Sequence, residues 1–236
     1  MLESNNKYTE MQRNQYEYDA SNWSLENRDP VVGSFDAHNN WRDYDDYLFR
    51  DIRKPLSDLV MLDFGCGPGR NIVKFNNQFN RIDGVDLAQG NIDAAKKWIS
   101  ANNCKLGNLY KNNGVDLQDI PNESYDVIMS TICFQHICVH EIRKNYMYEF
   151  YKKLRFGGVL TMQMGFGGKL YAPTTDYYEN NYEALVTNGG LDTNIWNSDQ
   201  LKFDLYHAGF SNFNYYVRPT GPGDNHSHWI FFNVTK

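Results

Sequence analysis

The stretch Val60-Met61-Leu62-Asp63-Phe64-Gly65-Cys66-Gly67-Pro68-Gly69-Arg70-Asn71 concentrates residue types that can hold a charged, polar ligand. It opens as an apolar run, the pattern of a strand buried on both faces. It then breaks into glycines at spacing two, and a polar, helix-compatible segment follows. Without a Cβ the backbone can turn sharply and a ligand can come close to the main chain. A loop of this kind ahead of a helix presents unpaired N–H groups to a polar ligand. The chemistry implied is a nucleotide-type pocket at the C-terminal end of a first strand. A dinucleotide fingerprint, Gly-x-Gly-x-x-Gly, is not met, because the position three after Gly67 is Arg70. A nicotinamide oxidoreductase loses on that point.

Asp63, Gly65, Gly67 and Gly69 stand instead at the positions of Asp/Glu-x-Gly-x-Gly-x-Gly. In this motif the chain resembles the class I S-adenosylmethionine-dependent methyltransferases, of the small-molecule type. Arg81-Ile82-Asp83-Gly84-Val85-Asp86 reads as the second strand, and Gly84-Val85-Asp86-Leu87 matches the family's second motif. A carboxylate at the end of that strand can accept both ribose hydroxyls through charge-assisted hydrogen bonds, each worth about 1.5–3 kcal/mol. The resemblance places Asp116 and Leu117, five and four residues before Pro121, over the adenine. Cys66, Leu87 and Ser130 join the cofactor contacts on the same grounds.

Past the fourth strand, Phe134-Gln135-His136 takes the place of the family's substrate-facing residues, and His136 is the candidate general base. Ser130-Thr131-Ile132-Cys133 replaces the Asn/Asp-Pro-Pro-aromatic of methyltransferases acting on amino groups in DNA, which counts against that substrate class. Further acceptor contacts are expected from Trp41 and Tyr44 in an N-terminal cap and from Tyr171 in an insertion. His226 and His228 join them, on the active-site edge of a closing hairpin by topology. His38 and Arg42 are weaker candidates in the cap. No metal cluster has convincing ligand spacing.

The elements that must position these residues follow from periodicity. Residues 1–13 read as a loose tail, and 14–236 as one methyltransferase domain, with a cap over 14–53 and a lid or acceptor-binding insertion over 165–197. A helix is expected from Asp43 to Lys54, with Tyr44, Leu48 and Ile52 at spacing four. Further helices are expected over Asn71–Phe79, Asn91–Ala101 and His140–Arg155, the last closed by Gly157-Gly158, and after a Ser198 cap. Strands are expected at Leu109–Asn113, Val127–Met129 and Val159–Met164, then at Asn212–Arg218 and His228–Val234. The fold class is α/β: a Rossmann-like, doubly wound seven-stranded sheet with the last strand antiparallel, helices on both faces, and the two lid segments added.

Composition narrows the partners. The 236 residues carry a net charge of −6, with 17 tyrosines and 14 phenylalanines. That charge argues against an extended nucleic-acid footprint, while the aromatics suit a lined pocket or a packed core. The four cysteines show no Cys-x-x-Cys spacing, which reads as free thiols in a reducing compartment. With no long apolar run, a cytoplasmic protein without a membrane partner is expected; a homodimer stays open.

The activity implied is transfer of the S-adenosylmethionine methyl group to an O or N nucleophile of a small-molecule acceptor, such as a sugar, glycan precursor or secondary metabolite. The sulfonium is already activated. The protein must therefore align the acceptor, exclude water and, for a hydroxyl, remove a proton. The alternatives are a nucleic-acid or protein methyltransferase of the same fold, and a non-catalytic S-adenosylmethionine-binding module.

Overall fold

The structure, a computed structural model, describes residues 7–26, 44–169, 174–180, 182, 192–221 and 226–236. The chain begins with the helices Lys7–Ser21 (α1) and Tyr44–Leu48 (α2) and enters the sheet at Val60–Phe64 (β1), whose five residues are all buried. Val60, Leu62 and Phe64 join the apolar cluster on one side of the sheet and Met61 the cluster on the other, as the two-residue period of a strand requires. By the same alternation Asp63 falls on the Met61 side.

From β1 the chain steps outward through Arg70–Phe75 (α3), Arg81–Asp86 (β2), Gln89–Ala101 (α4) and Leu109–Lys111 (β3). It returns to the other side of β1 with Tyr125–Ser130 (β4), His140–Lys153 (α5) and Leu154–Lys169 (β5). Thr174–Asp176 (β6) and Asp192–Asn194 (β7) form a separate parallel pair. Ser198–His207 (α6), Ser211–Pro219 (β8) and His226–Thr235 (β9) close the chain. The seven-stranded sheet runs β3-β2-β1-β4-β5-β9-β8, with β9 antiparallel to both neighbours. Its direction of travel reverses between β1 and β4, and such a reversal opens a crevice at the carboxyl ends of the strands.

Several boundaries correct the sequence reading. Residues 7–13 are no loose tail but the first half of α1, with Tyr8, Thr9 and Gln12 buried. Tyr8, Gln12 and Tyr16 recur at spacing four and share one helix face. The helix expected over 43–54 stops at Leu48, whose carbonyl accepts from Thr161 Oγ1 at 2.7 Å. The chain then leaves to bring the Asp51 carboxylate to Tyr216 Oη and Asn233 Nδ2. α5 ends at Lys153 rather than Arg155, because Leu154 is already extended and begins β5. α6 is capped by Asn197, not Ser198, in a reciprocal arrangement with Gln200.

Candidate active site

A cavity opens over the carboxyl ends of β1, β2 and β4, with about 790 Å³ of atom-free space counting the open solvent of its mouth. Its wall is built from the glycine loop (Phe64, Gly65, Cys66, Gly67, Arg70, Asn71) and from Asp86 and Leu87 at the end of β2. Asn112 and Gly114 follow β3, and Thr131, Ile132, Cys133 and Ile137 follow β4. Asn91 of α4, Tyr146 of α5 and Gln12 and Tyr16 of α1 complete it.

Asp86 is buried, and three donors hold its carboxylate: Gly67 N–H at 2.9 Å, Ala88 N–H at 2.9 Å and Asn91 Nδ2 at 3.1 Å. Burial raises its pKa, and these donors pull it back down in part. Gly67 can aim its N–H at the carboxylate because it sits at φ +51°, where a side chain would be strained. An ionised carboxylate offers about four lone-pair sites, so with both Oδ1 sites taken the group retains a site on Oδ2 for one hydroxyl donor of a ligand.

Beneath the loop, Asn71 Nδ2 donates to Asp63 Oδ1 at 3.3 Å and to Thr131 Oγ1 at 3.1 Å, joining β1 to the segment after β4. Asp63 is fully buried, and its Oδ2 has no hydrogen-bond partner among the described residues. Burial pushes its carboxyl up to about 7, against the smaller lowering by Asn71 and Arg70. Gly65 has φ +71°, and a Cβ there would lie 2.1 Å from Cys133 Sγ, so the missing side chain makes room for a neighbour rather than for a ligand. Ile132 also adopts φ +50°, an uncommon conformation for a β-branched residue, pinned by its N–H donating to Gln163 Oε1 at 2.8 Å. The Cys66 and Cys133 thiols are raised by burial and by nearby carboxylates; they are apolar wall, not nucleophiles.

α1 is fastened over the opening at both ends. Tyr8 Oη donates to the His136 carbonyl at 2.5 Å and accepts from Cys138 N–H at 3.0 Å. At the other end the Glu17 carboxylate accepts from Gln89 N–H at 2.7 Å and Gly90 N–H at 2.8 Å. These are the unpaired donors of the first turn of α4, whose own cap residue, Ala88, has no polar side chain to offer.

His136 ends the short turn Phe134–His136 after β4, one residue before Ile137 in the cavity wall. Its Nδ1 lies 2.6 Å from Asp192 Oδ1, and His226 Nε2 lies 2.9 Å from Asp192 Oδ2. Asp192 begins β7 and His226 begins β9, so three distant segments meet there.

The sequence-derived contacts divide accordingly. Gly65, Cys66, Gly67, Asp86 and Leu87 line the cavity; Asp63, Gly69 and Ser130 do not. Asp63 and Ser130 are fully buried, and Gly69 precedes α3, packed toward Ala95. Asp116 and Leu117 do not line this cavity. Asp116 Oδ1 accepts from Asn113 Nδ2 and Gln118 N–H in a local turn, and Leu117 is core. Asn112 and Gly114 reach the cavity in their stead.

Three of the expected acceptor contacts are structural. Phe134 packs against Phe64 and Phe150, Gln135 Oε1 accepts from Gly165 N–H at 3.0 Å, and Tyr44 meets Phe231 edge-on at 4.9 Å. His226 is fully buried against Asp192, and His228 turns to Ser227 Oγ, so neither lines the cavity. Trp41 and Tyr171, with His38 and Arg42, lie outside the described residues. Sequence reasoning missed Gln12, Tyr16 and Asp192. For the first two, the spacing-four pattern from Tyr8 was the available signal.

Residues 61–158 match the family model described as a methyltransferase domain. Over 116 residues the chain is 28% identical to a protein named ubiquinone biosynthesis O-methyltransferase from Rickettsia bellii, covering 48% of this chain and 46% of that one. A protein of the same name from Bartonella tribocorum is 30% identical over 83 residues, 35% of this chain and 33% of its own. The chain thus spans less than half the length of these curated relatives.

Among solved structures, phosphoethanolamine N-methyltransferase 2 of Haemonchus contortus, in complex with phosphomonomethylethanolamine and S-adenosylhomocysteine, superposes with TM-score 0.67 at 16% identity. That match covers all of this chain and 60% of that one. An S-adenosylmethionine-dependent methyltransferase from Mesorhizobium loti gives TM-score 0.57 at 16% identity over 80% of this chain and 95% of its own. At such identities the likeness is one of fold. The matched segment, residues 61–158, is thus similar to a methyltransferase domain, and the fold around it is that of S-adenosylmethionine-dependent methyltransferases. Among the described residues no helix is long and apolar enough to cross a membrane, and no group of His, Cys, Asp or Glu is arranged to hold a metal ion.

Proposed function

We propose that the chain moves the methyl group of S-adenosylmethionine to an oxygen nucleophile of a small hydroxylated acceptor, with His136 as the general base. When bound, the cofactor supplies a methyl group already activated on a sulfonium. The chain's residues fit such a ligand: Asp86 Oδ2, which accepts from Gly67 N–H, has a site left for a ribose hydroxyl, and Cys66, Leu87, Ile132 and Cys133 offer an apolar wall. Tyr16 and Gln12 of α1 shield the cavity from water.

The observation that carries the oxygen reading is the place of His136 in the chain, outside the lining itself but one residue before Ile137 of the cavity wall, with Nδ1 2.6 Å from Asp192 Oδ1. An amine attacks with little help, whereas a hydroxyl benefits from a base. His136 would take the proton of the acceptor hydroxyl. The name carried by the curated relatives, an O-methyltransferase, supports the same choice. Sugars, glycan precursors and secondary metabolites remain the acceptor classes proposed.

The test is a product screen: the protein, S-adenosylmethionine and a panel of phenols, sugars and amines, with S-adenosylhomocysteine and methylated product read by mass spectrometry. Turnover on hydroxyl acceptors that falls by about 10²–10⁴-fold in His136→Gln supports the reading. Turnover restricted to amines, or to nucleic acid or protein added in parallel, overturns it.

A further inference from the structure

We infer that Asp192 is the positioning residue of this site: its carboxylate holds His136 by Nδ1, is itself held by His226, and so leaves the His136 lone pair on Nε2. This rests on the reading of His136 as the base, and it adds two residues to that reading.

The geometry is the argument. An ionised carboxylate only accepts hydrogen bonds, so each imidazole nitrogen facing it must carry a proton. Asp192 Oδ1 is 2.6 Å from His136 Nδ1, and Asp192 Oδ2 is 2.9 Å from His226 Nε2. His136 is thereby fixed with Nδ1 protonated and Nε2 able to accept. Asp192 is buried and His226 has no exposed side-chain surface. His226 supplies the hydrogen bond on Oδ2 that the buried carboxylate needs, while on Oδ1 the His136 ring makes an ion-pair contact outside hydrogen-bond geometry.

The surroundings are built for the arrangement. A Cβ on Gly165 would lie 2.2 Å from the His226 ring, so glycine on β5 is what lets the ring reach Asp192. Arg143 Nη1 donates to Thr193 Oγ1 at 2.9 Å and also to the Ile137 carbonyl, tying β7 to the turn that carries His136.

The other titratable groups around the pair are Tyr8 and Tyr16 of α1, Cys138 after the turn and Arg143 of α5. Burial alone would lower the pKa of His136, but the charge of Asp192 reverses this, and the net shift is upward. Burial likewise opposes ionisation of Asp192, and His136 and His226 together hold it far below the usual carboxylate range.

The test reads His136 directly, with no acceptor needed. Long-range ¹H–¹⁵N spectra of the full chain, assigned by loss of the signal in His136→Gln, report the imidazole tautomer and titration. Expected in the wild type is the Nδ1-protonated neutral form, titrating above an ordinary histidine. In Asp192→Asn the midpoint drops by about one unit, and His226→Gln, which keeps a donor for Oδ2, retains most of the wild-type behaviour. A wild-type His136 in the Nε2-protonated form, or a midpoint unmoved in Asp192→Asn, overturns the inference; the first result holds even where the variants do not fold. If the midpoint moves as expected while His136→Gln keeps full methyl transfer, the positioning stands and the general-base reading falls.

Discussion

Replacing Asp63 by Asn should abolish a specific pH dependence of stability. In the folded chain this carboxyl is fully buried, one oxygen meets Asn71, and burial raises it from the usual 3.8 to about 7. The unfolded chain releases the proton near pH 4, and the folded chain keeps it until near pH 7. Over that window the folded state binds more protons, so stability falls as pH rises, by about 1.4 kcal/mol per unit. The contribution is intact below about pH 4 and gone above about pH 7, and the whole difference is about 4 kcal/mol.

The assay is urea unfolding of wild type and Asp63→Asn at pH 5, 6, 7 and 8. Asp86, also raised, and His136, also raised, titrate in both proteins, so the difference between the two isolates Asp63. Between pH 5 and 7 the wild type should lose about 2–3 kcal/mol relative to the variant. Parallel curves would refute the claim that a buried carboxyl with one unpaired oxygen lies under the glycine loop.

Three further outcomes follow from particular contacts. Glu17→Ala removes the carboxylate from the first turn of α4 and should cost about 1 kcal/mol of stability, with faster hydrogen exchange confined to 7–21 and the start of α4. Gly165→Ala places a Cβ against the His226 ring and should destabilise by about 1–3 kcal/mol, read as a lowered urea midpoint. Asp116→Ala, which loses only a local turn, should leave S-adenosylhomocysteine affinity within about twofold by calorimetry.

What could be read in the sequence was local in the chain. The glycine loop shows itself because its turn residues are consecutive, and Asp86 because it ends an apolar run adjoining them. The placement of Asp116 over the adenine rests on counting back from Pro121, whereas in the fold Asn112 and Gly114 line the cavity and Asp116 closes a local turn. α1 escaped notice because the face it buries, Tyr8, Thr9 and Gln12, is no apolar stripe, and Tyr8 and Gln12 pair with the His136 carbonyl. Phe134 and Gln135 were assigned to the acceptor by position in the motif. In the fold, one fills the core and the other satisfies a backbone N–H of β5. Asp192 lies 56 residues beyond His136 in a segment without periodicity, so nothing short of the tertiary fold brings the two together.

The central claim is that the cavity holds S-adenosylmethionine by the Asp86 carboxylate. Calorimetric titration with S-adenosylhomocysteine, on wild type and on Asp86→Ala with an unchanged circular dichroism spectrum, tests it most directly. Saturable one-to-one binding that weakens by about ten- to a hundredfold in the variant is the predicted result. No binding to the folded wild type, or equal affinity in the two proteins, would contradict it.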